Sequence, residues 1–145
     1  MIPKWDIRFL ALAEHVAQWS KDPSTKTGSV IVDDQRRVVG MGYNGFPRGI
    51  QDTEERLETR KVKYSLMVHC EMNALLNANG DVSDCTLYTW PFASCERCAV
   101  HMIQAGIKRA VAPEIPDALK DRWHERLKIA GDLYREAGVE VVTVG

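Results

Sequence analysis

The stretch Val68-His69-Cys70-Glu71-Met72-Asn73-Ala74-Leu75-Leu76, together with Cys95-Glu96-Arg97-Cys98 further along the chain, decides how the rest of the sequence is interpreted. A histidine and two cysteines can supply three protein ligands to a zinc ion, and a catalytic zinc keeps its fourth position for water. A carboxylate beside such a metal, but not bound to it, can move protons to and from that water. The candidate metal ligands are His69, Cys95 and Cys98. Glu71 is the candidate proton carrier.

His69 and Glu71 lie near the start of a predicted helix that runs from Val68 to about Asn77. Two residues correspond to a rotation of roughly 200° about a helix axis, so these side chains do not share one face. Near the helix N-terminus both can still point into a pocket beyond the helix end. This spacing suits one ligand and one proton carrier better than two equal ligands. The residues predicted to face inward are Val68, Met72, Leu75 and Leu76.

The C-x-x-C pair alone admits other interpretations, because such a pair also occurs as a redox dithiol or as half of a zinc ribbon. A second C-x-x-C, which a ribbon requires, is absent from the sequence. Cys70 could in principle be a fourth ligand and make the site closed and structural. On a helix it would point roughly 100° away from His69, so we expect it in the core.

The composition is that of an ordinary globular protein and indicates a single domain over residues 1–145. The formal net charge of −1 argues against a protein that coats long nucleic acid, where a basic face is expected, but it allows a small anionic substrate. No apolar run is long enough to span a bilayer, and the N-terminus lacks the features of a signal peptide. A cytoplasmic location is therefore expected, which favours ligand or core roles for the four cysteines over disulfides.

The order of helical and extended patterns predicts an α/β fold. The predicted helices are Trp5 to about Trp19, Val68 to about Asn77, Cys95 to Gly106 and Asp117 to Ala137. The predicted strands are Ser29 to Val32, Val38 to Gly42, Cys85 to Trp90, Ile107 to Val111 and Val139 to Val144. The first two strands form an antiparallel hairpin, and the helix that follows predicts a third strand parallel to the earlier ones. The result is a three-layer α/β/α sandwich around a mixed five-stranded sheet, with a ligand crevice where the loops gather at one edge.

Three segments between these elements are candidates for substrate contacts. The loop from Ser20 to Gly28 carries lysines, hydroxyls and a glycine that could hold a phosphate, although it also fits a solvated turn. The segment from Gly42 to Gly49 places Asn44 where its amide could pair with a base edge or a sugar hydroxyl, or simply with its own backbone. The charged segment from Gln51 to Ser65 is predicted to be partly helical and either mobile or substrate-covering.

On these motifs the chain resembles the deoxycytidylate (dCMP) deaminases of the cytidine deaminase superfamily. The H-x-E and C-x-x-C pattern marks the superfamily, and the Gly-Tyr-Asn-Gly and Ser-Lys-Asp-Pro segments narrow it to the dCMP branch. The resemblance covers most of the chain. The matching stretches are Ser20 to Ser24, Val39 to Pro47, His69 to Ala74 and Cys95 to Lys108.

The resemblance implies a hydrolytic deaminase that converts dCMP into dUMP and ammonia. It implies that His69, Cys95 and Cys98 hold Zn²⁺, and that Glu71 takes a proton from zinc-activated water and returns protons to N3 of cytosine and to the leaving amine. The side chains implied to contact the nucleotide are Asn44, Ser24, Lys26 and Thr27, and Trp123 can take the place of an aromatic residue that packs near the nucleotide in relatives.

The resemblance also raises the possibility of regulation and assembly. In some members the Gly-Tyr-Asn-Gly segment belongs to an allosteric dCTP site opposed by dTTP, and those members are hexamers, so a homo-oligomer (a hexamer or a dimer) is expected. The corresponding residues here are Gly42, Tyr43, Gly45 and Phe46. Two departures stand out: Ser94 replaces the usual proline before Cys95, and Cys70 replaces the usual alanine. Neither removes a ligand or the acid/base.

Three alternatives remain open. A deaminase of dCTP, cytidine, cytosine or guanine would keep the zinc site and change the pocket. A polynucleotide deaminase is disfavoured because the sequence has no basic stripe. A non-catalytic, zinc-stabilised interaction module would use the same ligands without turnover.

Overall fold

The computed structural model describes residues 4–145, which form a five-stranded sheet covered by helices on both faces. The helices are α1 (Lys4–Ala17), α2 (Glu54–Glu58), α3 (Arg60–Leu66), α4 (Cys70–Leu76), α5 (Glu96–Ala105) and α6 (Asp117–Glu136). The strands are β1 (Gly28–Val32), β2 (Val38–Tyr43), β3 (Thr86–Trp90), β4 (Arg109–Pro113) and β5 (Glu140–Val144). The charged segment before α4 forms two short helices, and no helix of residues 4–145 is long and apolar enough to cross a membrane.

Alternation along the central strands divides the core into two layers, because successive side chains of a strand point to opposite faces. Val30 and Val32 of β1 pack with Phe9 and Ala13 of α1 on one face. Ile31 packs on the other face in a cluster with residues of α4, α5 and α6. That cluster includes Ala74, Leu87, Ala99, Met102, Ala130 and Tyr134. The predicted α/β/α layering and the mixed five-stranded sheet are therefore present.

The sheet order β2-β1-β3-β4-β5 corrects one topological prediction. β3 pairs with β1 in antiparallel register, with Gly28 opposite Trp90 and Val32 opposite Thr86. The helical connection does return β3 in the direction of β2, as expected. However, β1 lies between them and runs the other way because β1 and β2 form a hairpin. Parallel pairing begins only at β3 with β4 and continues to β5.

Helix α4 lies directly on β2 because two glycines let the backbones approach. A Cβ atom at Gly42 would overlap the backbone nitrogen of Ala74, and one at Gly40 would overlap the carbonyl oxygen of Ala74. The buried face of the helix is Cys70, Glu71 and Ala74. The prediction that Leu76 faces inward is wrong: its side chain is 71% exposed, since it lies roughly 200° around the helix from Ala74.

A buried carboxylate fastens α1 to the sheet. Asp6 accepts hydrogen bonds from Tyr88 Oη at 2.6 Å and from both terminal nitrogens of Arg109 at 3.1 and 2.9 Å. Arg109 Nε also donates to Glu140 at 2.8 Å. These contacts connect α1 with β3, β4 and β5, on the face of the sheet that α1 covers.

Candidate active site

The site lies at the edge of the sheet where three loops meet. Gly28, at the start of β1, is opposite Tyr43 at the end of β2 and Trp90 at the end of β3. The chain therefore enters β1 and leaves both neighbouring strands at the same edge, and α4 and α5 also begin here. The predicted crevice is present at this edge as a cavity lined by residues from all these segments.

Three candidate metal ligands converge at the starts of α4 and α5. His69 and Cys95 are the N-cap residues of the two helices, and Cys98 lies in the first turn of α5. The Nδ1 atom of His69 is 3.4 Å from Sγ of Cys95 and 3.3 Å from Sγ of Cys98. Ordinary Zn–S and Zn–N bond lengths in a tetrahedron place such atoms about 3.6 Å apart. Within residues 4–145 this is the group of three His, Cys, Asp or Glu side chains whose ligand atoms all lie within 4.8 Å of one another.

The electrostatics of the two cysteines also fit a cation. Contact with Cys98 lowers the pKa of Cys95, with burial opposing and the His69 hydrogen bond reinforcing this effect. The same contact, together with burial, raises the pKa of Cys98, because a second thiolate is disfavoured beside the first. A divalent cation between the sulfurs would remove that penalty and allow both to ionise.

Glu71 shares the cavity but not the ligand cluster. Its carboxylate is buried in the first turn of α4, and its side chain lines the same cavity as His69 and Cys95. The sequence predicted that His69 and Glu71 lie roughly 200° apart on one helix. In the structure His69 instead precedes the helix and has extended backbone angles (φ −67°, ψ 155°). The backbone of an N-cap residue is not helical, so the rotation of about 100° per residue does not apply between His69 and the helix. The side chains of His69 and Glu71 can therefore both face the cavity.

Cys70 is buried, as predicted, and is not part of the ligand cluster. Its Sγ donates a hydrogen bond to Oε1 of Glu71 at 2.9 Å and accepts one from Oγ of Ser29 at 3.1 Å. Burial, reinforced by the nearby Glu71 carboxylate, raises the pKa of this thiol well above its ordinary value. The side chain is therefore a neutral donor at the floor of the cavity.

The structure places four of the five predicted substrate contacts at the cavity wall. Ser24, Thr27, Asn44 and Trp123 line it, whereas Lys26 is exposed and is not among the lining residues. The loop turns at this position so that Lys26 faces solvent while Thr25 and Thr27, on either side, face the cavity. The indole of Trp123 packs against Phe92, with ring centroids 5.5 Å apart.

Asn44 is already engaged within the protein. Its Nδ2 donates to Oδ2 of Asp22 at 3.2 Å and to the carbonyl oxygen of Thr25 at 2.9 Å. Its Oδ1 accepts from the backbone N–H of Thr27 at 2.9 Å. The amide thus shapes the loop from Ser20 to Gly28, and the second lone pair of Oδ1 is the capacity left for a ligand.

Two cations at the cavity were missed by sequence reasoning. Lys63 of α3 is buried and donates to Oδ1 of Asp22 at 3.1 Å. Arg122 of α6 donates to Oη of Tyr64 at 2.5 Å and lies 3.5 Å from Oγ of Ser24. No local motif marks either residue, because each reaches the site only through packing of an element distant in sequence. Helix α6 is held in place here by Arg126, whose Nε donates to both carboxylate oxygens of Glu96 at 2.9 and 3.1 Å.

The remaining residues of the predicted regulatory loop line a different groove. Gly42, Tyr43, Gly45 and Phe46 lie beside Trp19 and Leu76, and none of the four is among the residues that line the active-site cavity. Gly42 is required for the contact between β2 and α4, and Tyr43 packs edge-on against Trp19 with centroids 6.2 Å apart. Only Asn44 of this segment faces the cavity.

Comparison with known proteins agrees with this geometry. The cytidine and deoxycytidylate deaminase zinc-binding region matches residues 3–113. An uncharacterised deaminase from the luxG 3' region of Aliivibrio fischeri is 41% identical, and the similarity covers 97% of this chain and 94% of that protein. The deoxycytidylate deaminase of Mus musculus is 38% identical over 94% of this chain and 77% of its own length.

The fold is shared with a solved structure. The dCMP deaminase of cyanophage S-TIM5 superimposes with a TM-score of 0.77 over 99% of this chain and 100% of that chain, at 21% identity. The predicted fold class and the predicted zinc chemistry are confirmed by these similarities and by the ligand cluster. The chain belongs to the family defined by the cytidine and deoxycytidylate deaminase zinc-binding region.

Proposed function

We propose that this protein is a zinc-dependent hydrolase that converts dCMP and water into dUMP and ammonia. The observation that carries the proposal is the arrangement of one cavity: His69, Cys95 and Cys98 converge on one point, and a buried carboxylate lies beside them without joining the cluster. The mammalian relatives bear the name deoxycytidylate deaminase, and the cyanophage enzyme has been crystallised with dCMP and dUMP.

The residues have separate roles in this reaction. Zinc held by His69, Cys95 and Cys98 would lower the pKa of a water molecule from ~15.7 towards ~7. Glu71 accepts a proton from the water that adds to C4 of the cytosine ring. It delivers this proton to N3, then takes the remaining proton from the hydroxyl group at C4 and gives it to the amine, so that the C4 carbonyl forms as neutral ammonia leaves. Phe92 and Trp123 pack against each other and form an apolar wall of the cavity, which limits contact of a bound ring with bulk water.

Polar side chains on one side of the cavity favour a nucleotide as the substrate rather than a free base. Ser24, Thr25 and Arg122 offer two hydroxyls and a guanidinium on one side of the cavity. A guanidinium matches the geometry of a phosphate, and hydroxyls can donate to its oxygens. Asn44 and Thr27 line the same cavity, where they can contact the sugar. Arg122 thus takes the place that sequence reasoning gave to Lys26.

Measured ammonia release from a panel of substrates tests this proposal. We expect dCMP to be the best of dCMP, dCTP, deoxycytidine, cytidine, cytosine and guanine, with deoxycytidine poorer by at least about a hundredfold in kcat/KM because it lacks the phosphate. Preference for guanine or cytosine would contradict the substrate assignment. Absence of turnover on every member by the zinc-loaded protein would contradict the enzymatic assignment and favour the interaction module.

Regulation by dCTP and dTTP and assembly into a homo-oligomer are part of the same proposal. The groove lined by Tyr43, Gly45 and Phe46 is separate from the cavity and is therefore available to a second ligand. Turnover of dCMP measured with each nucleotide added, and sedimentation in its presence and absence, test both points.

A further inference from the structure

We infer that Cys70 is a positioning residue that fixes one oxygen of the Glu71 carboxylate, so that the other oxygen carries the protons. The inference rests on the proposed function for its catalytic meaning. Its structural content is a hydrogen bond between neighbouring side chains, which can be measured without any turnover.

The thiol belongs to a chain of buried hydrogen bonds that begins in the sheet. Oγ of Thr89 and Oγ of Ser29 are 3.2 Å apart, and these two residues are directly opposite each other on β3 and β1. Ser29 donates to Sγ of Cys70 at 3.1 Å, and Cys70 donates to Oε1 of Glu71 at 2.9 Å. All four side chains are less than a tenth exposed.

The direction of the chain follows from the available protons. An ionised carboxylate can only accept, so the proton between Cys70 and Glu71 comes from the thiol. Sulfur then accepts from Ser29, whose own lone pairs can receive the hydroxyl proton of Thr89. These contacts direct the thiol proton toward Oε1 of Glu71.

The two oxygens of Glu71 therefore have different roles: one is held in place and the other carries the protons. Within residues 4–145, Oε1 is the Glu71 oxygen that receives a hydrogen bond, and its donor, the Cys70 thiol, is itself held by Ser29 of the central strand β1. Oε2 accepts no hydrogen bond within residues 4–145, and the Glu71 side chain lines the cavity. A proton carrier held at one oxygen cannot rotate away from its target, and a misplacement of about 1 Å can cost about a hundredfold in rate.

Replacement of the thiol separates this role from mere packing. We expect Cys70→Ala to lower kcat on dCMP about tenfold, as loss of a hydrogen bond to a charged group predicts, with KM within about twofold and zinc content unchanged. Cys70→Ser keeps a donor at this position and should recover most of kcat. Cys85→Ala provides the matched control, because Cys85 is equally buried but packs in the core away from the cavity.

Three results would overturn the inference. These are a Cys70→Ala variant with wild-type kcat, a Cys70→Ser variant no better than Cys70→Ala, or a Cys85→Ala variant with the same loss. A loss of zinc or of thermal stability that accounts for the whole effect in Cys70→Ala would also assign the residue to packing.

Infrared spectroscopy tests the hydrogen bond independently of the reaction. The S–H stretching band of Cys70 is obtained as the difference between the wild type and Cys70→Ala. We expect this band at the low frequency of a thiol bound to a carboxylate, and we expect it to rise in Glu71→Ala. A band that does not move refutes the inference even if dCMP is deaminated. A band that moves in a protein that deaminates nothing refutes the proposed function alone.

Discussion

Three buried carboxylates differ in their partners: two form ion pairs that stabilise the fold, and one lies in the cavity without a cation beside it. Asp6 is paired with Arg109, and Asp22 is paired with Lys63. Glu71 is as buried as these two, yet the structure of residues 4–145 gives its carboxylate one hydrogen bond, from the neutral thiol of Cys70. Burying a carboxylate without a cation beside it is costly, and such groups in a cavity are candidates for functional residues. Its place in the same cavity as His69 and Cys95 supports the proposed role as proton carrier.

The buried carboxylate of Asp6 is expected to stabilise the folded protein. Burial alone would raise the pKa of Asp6, but hydrogen bonds from Arg109 and Tyr88 and the charge of Arg109 outweigh it, so its pKa lies below the ordinary value. We expect Asp6→Asn to lower the free energy of unfolding by about 3 kcal/mol at neutral pH, since it removes one partner of a buried pair.

The pH dependence of this effect has a definite sign. A carboxylate whose pKa is lowered on folding stabilises the protein fully above its unfolded pKa, and the contribution is lost as the pH falls through the folded pKa. The gap between Asp6→Asn and the wild type in urea denaturation should therefore close below about pH 4. Asp117→Asn removes an exposed pair with Lys120 and should change little at any pH. A gap that widens in acid would show that Asp6 is not ionised in the folded protein.

At the scale of elements, the site depends on how closely α4 approaches β2. Glu71 lies in the first turn of the helix and His69 is its N-cap, so a shift of the helix moves a candidate ligand and the proposed proton carrier together. The two glycines of β2 make the approach possible. The residues of the Gly-Tyr-Asn-Gly segment consequently differ in purpose: Gly42 sets the position of the helix, whereas Asn44 shapes the loop opposite it.

Substitution of Gly42 tests this dependence. We expect Gly42→Ala to lower the free energy of unfolding by about 1–3 kcal/mol, because the added methyl group forces the two backbones apart. We also expect it to lower kcat, because the helix carries the proposed proton carrier Glu71. Gly45→Ala is the matched control, since nothing lies within 4 Å of a Cβ added there, and it should stay within about 0.5 kcal/mol of the wild type. Equal effects of the two substitutions on urea midpoints and kcat would contradict this account.

For the whole molecule, the sequence predicted the features that are encoded locally. The hydrophobic periodicity and the turn residues predicted most of the helices and strands, and the two ligand motifs lie within two residues of the predicted starts of α4 and α5, although His69 and Cys95 are N-cap residues rather than part of the helices. The pairing of β3 with β1 was not predictable, because the chain between β2 and β3 fixes the direction of β3 but not its neighbour. Lys63 and Arg122 were missed for a related reason. Both belong to helices with mostly solvated charges, and only tertiary packing brings them to the cavity.

The most direct test of the account is a measurement of zinc content and dCMP turnover in Glu71→Gln, with Cys95→Ser for comparison. The central claim is that Glu71 moves protons and does not bind the metal. Glu71→Gln should therefore retain about one zinc per chain and lose at least about a thousandfold in kcat. Cys95→Ser should lose both zinc and turnover. A Glu71→Gln protein that fails to bind zinc, or one that binds zinc and still deaminates dCMP at the wild-type rate, would contradict the claim.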